Sequence, residues 1–299
     1  MTIVEKIKAQ KENDQQPGGE VIYDYKPYQY YGIIQLDLEA PYYQPDLDPD
    51  LLQKDLCYLR KQLDQLQEAL YVEGKEGIVL LFEGGNASGK DLMIRRLISA
   101  MDPSGIFVHH MRAESEEEKS HDFLWRFHRL MPKRGEVAIF NQSYYQDLFD
   151  PDAKPNADHL PDRVMSRGEA LRGTRFEDIR QYEKYLYQSG YRVIKIFLNV
   201  SQDTQKQRFI KRLNSRHQWT LTQKTMKELE DYEQRKKINQ DVINQTATKY
   251  APWYVLPADD PLYMEYLITK ITVDTINACH PKLPDNDQAD HYKKKLLDF

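Results

Sequence analysis

Gly77-Ile78-Val79-Leu80-Leu81-Phe82-Glu83-Gly84-Gly85-Asn86-Ala87-Ser88-Gly89-Lys90-Asp91 is the stretch that decides the fold. An apolar run, Gly77 to Phe82, is long enough for a buried strand and enters a loop with Gly-x-x-x-x-Gly-Lys spacing from Gly84 to Lys90. Beyond the loop, Leu92, Met93, Ile94, Leu97 and Ile98 recur at helical spacing. Strand, glycine loop and helix in that order form a phosphate cradle. Glycines let backbone N–H groups close around phosphate oxygens, the helix N-terminus adds partial positive charge, and the lysine adds a full one. The flanking strand and helix favour this reading over an ordinary tight turn.

Working outward, 105–108, 136–140, 191–200 and 253–257 read as further strands. Residues 51–71, 121–130, 176–188, 202–248 and 261–278 read as helices, and the first carries Leu51, Leu52, Leu56, Leu59, Leu63, Leu66 and Leu70 on one face. A loop rich in Asp, Pro and Arg spans about 147–175. Strands alternating with helices imply an α/β fold, a parallel sheet covered on both faces. Residues 1–48 read as an arm, with a polar start and then Tyr23, Tyr25, Tyr28, Tyr30, Tyr31, Tyr42 and Tyr43 among prolines. Such an arm is expected to pack along its own domain or a partner subunit rather than to stack bases. Residues 49–278 form the phosphate-handling domain, and the polar tail 279–299 is expected to trail over the surface.

The chain has 299 residues, 40% of them hydrophobic, enough for a sizeable core. With 30% charged residues and a net charge of −5 it lacks the basic excess of a general nucleic-acid binder. Local basic runs exist: Lys206, Arg208, Lys211, Arg212 and Arg216 in one segment, Arg235, Lys236 and Lys237 in another. Taken alone, each reads as a solvated helix face. Cys57 and Cys279 lie far apart without metal-ligand spacing, which argues against a disulfide framework or zinc site and for a reducing compartment. No apolar stretch has membrane-spanning length and the N-terminus lacks an export pattern, so no membrane association and a cytoplasmic location are expected. His109, His110, His121 and His128 fit packing and capping better than a phosphohistidine or metal cluster.

Several strings together resemble the second polyphosphate kinase family: FEGGNASGKD (82–91), HDFLWRFHR (121–129), RGEVAIFNQSYY (134–145), KIFLNVSQDTQKQRF (195–209) and TATKYAPWYVLPAD (246–259). Their order and spacing match over roughly 50–278. The resemblance implies a P-loop kinase-like three-layer αβα sandwich with a helical lid, here about 208–245. It also implies phosphoryl transfer between polyphosphate and a nucleoside mono- or diphosphate, with Mg2+ and as a homo-oligomer. Lys90 and the amides of Gly84, Gly85, Asn86, Ala87, Ser88, Gly89, Lys90 and Asp91 would hold phosphates, and Arg126 and Arg112 would be cationic substrate contacts. Arg208, Lys211, Arg212 and Arg216 would line a polyphosphate channel. Asp91, with Asn86, is the candidate metal ligand within the loop.

The chain departs from the family pattern in one direction. The family usually has aspartate at Asn86, arginine at Gln142, glutamate at Gln146 and lysine at Thr220; its arginine shortly after that glutamate has no clear match between Asp147 and Lys154. An amide oxygen can coordinate magnesium but supplies no charge, so these changes weaken metal binding and transition-state stabilisation. Three functions follow: a working polyphosphate-dependent nucleotide phosphotransferase, a catalytically impaired relative that binds polyphosphate or nucleotide as a regulator or subunit, and, least supported, an ATP-using small-molecule kinase.

Overall fold

The computed structural model describes residues 24–31, 48–150, 161, 170–216 and 218–297. Most of the arm, including Tyr23, Tyr42 and Tyr43, and most of the 147–175 loop lie outside the described residues.

Six strands make one sheet: β1 (Gln29–Tyr30), β2 (Gly77–Glu83), β3 (Ile106–His110), β4 (Val137–Asn141), β5 (Tyr191–Asn199) and β6 (Trp253–Pro257). Their order is β1-β6-β5-β2-β4-β3. All neighbours run parallel except β1, which pairs antiparallel with β6 through Gln29↔Tyr254 and Tyr30↔Trp253. β2 is central, with Leu80 opposite Ile139 on one side and Ile194 on the other. From β2 the chain runs outward to β3, returns to β4, and then crosses to β5. The connections therefore diverge at the carboxyl end of β2, the place where open α/β sheets bind ligands.

Every residue of β2 is buried, because both faces of the sheet are covered. Alternation divides the core in two. Ile78, Leu80 and Phe82, with Ile139, Ile196 and Leu256, face α1 (Pro49–Glu73), α2 (Lys90–Ile98) and α10 (Pro261–Asn277). Val79, Leu81, Phe140, Val193, Phe197 and Val255 face α6 (Ala170–Gln188) and α9 (Tyr232–Thr246). The remaining helices are α3 (Glu116–Lys119), α4 (Trp125–His128), α5 (Gln146–Phe149), α7 (Gln202–Leu213), α8 (Gln223–Glu230) and α11 (Ala289–Leu297).

α1 starts at Asp48, whose carboxylate accepts from the N–H groups of Asp50 and Leu51, with Pro49 at the first helical position. It ends at Gly74, whose φ of 65° lets its N–H reach Leu70 O. Leu52, Leu56, Leu59, Leu63, Leu66 and Leu70 are buried, as the periodicity predicts. Glu265 of α10 accepts from Arg60 of α1 at 2.5 Å and from Arg96 of α2 at 2.6 Å, fastening three helices together.

A second polar junction lies in the other half of the core. Lys195, between Val193 and Phe197, is fully buried where alternation calls for an apolar residue. Its three N–H donors meet Glu183 Oε2 at 2.7 Å, Thr246 O at 2.7 Å and Tyr145 OH at 3.1 Å. Tyr144 and Tyr145 both donate to Glu183 Oε1, and Trp253 donates to Thr246 Oγ1. Burial pushes Glu183 up and Lys195 down, against the attraction between them. Tyr144 and Tyr145 thus pack and hydrogen-bond inside the core, and neither ring is open to a base.

Two of the expected helices need correction. Residues 121–130 are not one helix: Asp122 accepts from Leu124 N–H in a local turn, and only Trp125–His128 is helical. The stretch 202–248 is three helices, broken where Thr222 and Thr225 form a reciprocal cap and again at Asp231. The tail, expected to trail over the surface, contains α11 at Ala289–Leu297, with Leu296 and Leu297 exposed. In the described part of the arm, Tyr28 packs against Tyr263 and Tyr25 against Tyr254, so this part belongs to its own domain.

Candidate functional site

The loop after β2 turns through Gly84 at φ 137°, Ala87 at 61° and Gly89 at 106°. A Cβ on Gly84 would lie 2.8 Å from Leu198 O, so only glycine fits there. Lys90 is the first residue of α2, and its ammonium donates to Gly84 O and, at 3.0 Å, to Gly85 O. Burial pushes its pKa down, opposed by the charges of Glu83, Glu228 and Asp91. Glu83, buried at the end of β2, accepts from Ser143 N–H and Ser143 Oγ at 2.7 Å each, and burial pushes it up to about 7. Asp91 Oδ1 accepts from Asn141 Nδ2 at 2.6 Å, tying α2 to the end of β4.

The outer helices hold this loop from behind. Arg208 of α7 donates to Ala87 O at 2.9 Å and Ser88 O at 3.1 Å, and to Ala258 O at 2.7 Å and Asp259 O at 3.2 Å. Burial holds its guanidinium below the usual arginine range. Gln205 Nε2 donates to Asn86 O at 2.8 Å. From α8, Glu228 reaches into the loop: Oε1 accepts from Asn86 N–H and Oε2 from Asn86 Nδ2, both at 2.5 Å.

A cleft opens over the loop. Its floor is Glu83, Gly84, Gly85, Asn86 and Lys90; one wall is Gln142, Gln146, Phe149 and Asp150. The opposite wall carries Lys224, Glu228, Tyr232, Arg235 and Lys236 from α8 and α9. Lys224 pairs with Asp150 at 3.0 Å across the opening, and Tyr232 OH donates to Val200 O at 2.9 Å. Arg235 Nε is buried without a hydrogen-bond partner.

Of the residues singled out in the sequence, Gly84, Gly85, Asn86, Lys90, Gln142 and Gln146 converge on this cleft. Gln142 adopts a positive φ of 69° immediately after β4. Ala87 and Ser88 are buried in the body of the loop. Arg126 and Arg112 lie beyond the carboxyl end of β3, away from the cleft lining. Arg126 pairs with Glu118 at 3.3 Å and donates to Arg112 O, and Arg112 is exposed. Lys211, Arg212, Arg216 and Thr220 lie on or just beyond the end of α7, outside the lining, although the charge of Arg212 is felt at Lys90. The sequence reading missed Glu228 and Lys224, and it assigned Arg235 and Lys236 to a solvated face.

The carboxylates near the loop are each engaged by a protein partner and form no ready-made cage for magnesium. Glu83 is held by Ser143, Asp91 by Asn141, Asp150 by Lys224 and Glu228 by two N–H donors. Among the described residues no three His, Cys, Asp or Glu side chains are grouped to hold a metal ion, and none of the helices is long and apolar enough to cross a membrane.

The sequence profile described as Polyphosphate kinase 2 matches residues 46–284. The chain is 32% identical over 235 residues to an AMP/ADP-polyphosphate phosphotransferase of Meiothermus ruber, covering 78% of this chain and 84% of that one. It is 29% identical over 247 residues to an ADP-polyphosphate phosphotransferase of Rhodopseudomonas palustris, covering 79% and 82%. The fold superposes on the crystal structure of polyphosphate kinase 2 from Arthrobacter aurescens with a TM-score of 0.76 and 26% identity, over 91% of this chain and 95% of that one.

Proposed function

The chain belongs to the polyphosphate kinase 2 family, and from that premise we propose that its cleft transfers a phosphoryl group between polyphosphate and a nucleoside mono- or diphosphate. The observation that carries this reading is the placement of Lys90 and the glycine loop at the floor of a cleft whose far wall is cationic. Phosphoryl transfer requires the two reacting oxygens to be held in line and the charge on the moving group to be neutralised. The loop amides and Lys90 hold one phosphate. Lys224, Arg235 and Lys236 face it across the cleft, on the helices that the resemblance assigns to a lid over about 208–245. Arg235, with a buried N–H that lacks an acceptor, is suited to an anionic oxygen entering from above. Lys211, Arg212 and Arg216 extend the cationic surface along the end of α7, where a long polyanion would lie on leaving the cleft. Arg112, exposed beyond β3 and outside the cleft lining, would contact only a substrate long enough to reach past the cleft. Arg208 braces the loop instead of contacting substrate. Magnesium enters as the counter-ion of its phosphate substrates, a mode that needs few protein carboxylates. Cys57 and Cys279 are free thiols, in keeping with a reducing compartment.

A second reading, a binding protein that has lost its chemistry, is favoured by one observation. Asn86, Gln142 and Gln146 all line the cleft, at positions where the family resemblance places two acids and a base. Incubation with magnesium, long-chain polyphosphate and either AMP or ADP separates the two. New nucleoside di- or triphosphate supports transfer. Retained polyphosphate binding without product supports the second reading.

A further inference from the structure

Building on the reading of the loop as a phosphate seat, we propose that Glu228 is a carboxylate gate. It occupies the loop's anion position when no phosphate is present, and an incoming phosphate must displace it.

The geometry is that of an anion bound by the loop. Both carboxylate oxygens accept from donors of Asn86, one from the backbone N–H and one from the side-chain amide, each at 2.5 Å. A backbone N–H of a glycine-rich loop is the group that would otherwise meet a phosphate oxygen. Gly85 leaves the space for this approach, since a Cβ there would lie 2.7 Å from Glu228 Oε1. The side chain reaches the loop from α8, is 8% exposed, and adds its charge to the field at Lys90. Two further contacts hold α7 and α8 over the cleft in this position: Gln205 to Asn86 O, and Lys224 to Asp150.

The identity of residue 86 fits the same account. An amide there offers Glu228 a donor. The aspartate usual in the family would bring two carboxylates together at hydrogen-bond distance, and like charges at that separation repel. The neutral loop residue and the acid on α8 thus fit one another: Asn86 supplies two donors, and Glu228 supplies the negative charge beside the loop. A gate of this kind lowers the affinity of every anion by the fraction of molecules in which the seat is free. A polyanion that also engages Lys90 and the cations of α8 and α9 displaces it more readily than a small anion that meets the loop alone.

The test is calorimetric titration of tripolyphosphate, without metal, into the full-length protein and its Glu228→Ala, Glu228→Gln and Glu230→Ala variants. Glu230 is exposed on the same helix and controls for the loss of one negative charge. Two hydrogen bonds to a carboxylate predict roughly ten- to a hundredfold tighter binding for Glu228→Ala. Glu228→Gln keeps the size of the side chain and guards against collapse of α8. It loses one of the two bonds, so it should bind about tenfold tighter. Glu230→Ala should stay within about twofold of the parent. Equal affinities across all four proteins, or equal gains in Glu228→Ala and Glu230→Ala, overturn the gate while leaving phosphate binding intact. No binding by any of them overturns both the gate and the reading on which it rests.

Discussion

Replacing Arg208 with lysine keeps the charge and removes the fork, so it separates two roles that the same residue could play. As a polyphosphate contact, Arg208 would tolerate lysine well, because a flexible chain of phosphates accepts any nearby cation. As a brace it would not. Its guanidinium reaches Ala87 O, Ser88 O, Ala258 O and Asp259 O at 2.7–3.2 Å, joining the phosphate loop to the turn between β6 and α10. An ammonium on a shorter stem satisfies one or two of these carbonyls. Each net hydrogen bond from a charged donor contributes about 1.5–3 kcal/mol when fully buried, and less at a half-buried site where water can replace it. Two lost bonds therefore cost about 2–3 kcal/mol, and Arg208→Ala about 3–4 kcal/mol. The measurement is urea denaturation of the parent and both variants, paired with tripolyphosphate titration. The brace predicts that Arg208→Lys lowers stability and weakens tripolyphosphate binding together, because the loop loses its backing. Unchanged stability in Arg208→Lys, with binding lost only in Arg208→Ala, would refute it and restore the substrate-contact role.

Two further predictions concern the buried charges. Lys195→Met leaves Glu183 in a dry core without its cation and Thr246 O without its donor, and should lower stability by about 3–5 kcal/mol; adding Glu183→Leu removes the stranded charge but also the acceptor of Tyr144 and Tyr145, so the double variant should recover only part of that loss, as denaturation midpoints would show. Glu83 titrates at about 7 in the folded protein, above its ordinary 4.5. The folded state therefore holds a proton that the unfolded state has released between these values, and stability falls as pH rises through that window. A shift of this size corresponds to about 3 kcal/mol, so the stability difference between the parent and Glu83→Gln should change by that order between pH 4.5 and 7.5. A difference independent of pH would mean that Glu83 is ionised throughout.

The parts that a sequence encodes locally were legible. The strand at 77–83 and the glycine loop announce themselves by order and spacing, and the leucine stripe of α1 by period. Asn86, Gln142 and Gln146 could be grouped beforehand through the family resemblance, and the structure sets all three around one cleft. Glu228 could not. It is one acid among many in a charged helical stretch, and nothing local says which of them turns inward. The carbonyl contacts of Arg208 were hidden for a related reason, since a basic run reports charge but not the oxygens it will meet after folding. Lys195 interrupts an apolar strand, and its partner Glu183 lies on a separate helix, so the pair exists only in tertiary structure. The breaks in 202–248 were written in Thr222 and Thr225 but outweighed by strong helix formers on either side. The short β1 has too few residues to show a period.

The central claim is that the loop and Lys90 form the floor of a working phosphoryl-transfer site. It is tested most directly by measuring ATP formed from ADP, or ADP from AMP, with magnesium and long-chain polyphosphate, using the parent protein and Lys90→Ala. The account predicts product with the parent and a loss of at least about a hundredfold in rate with Lys90→Ala. Product formed equally well by Lys90→Ala would contradict the placement of the site. No product from the parent with either nucleotide, while polyphosphate still binds, would contradict transfer itself and leave a fold retained for binding.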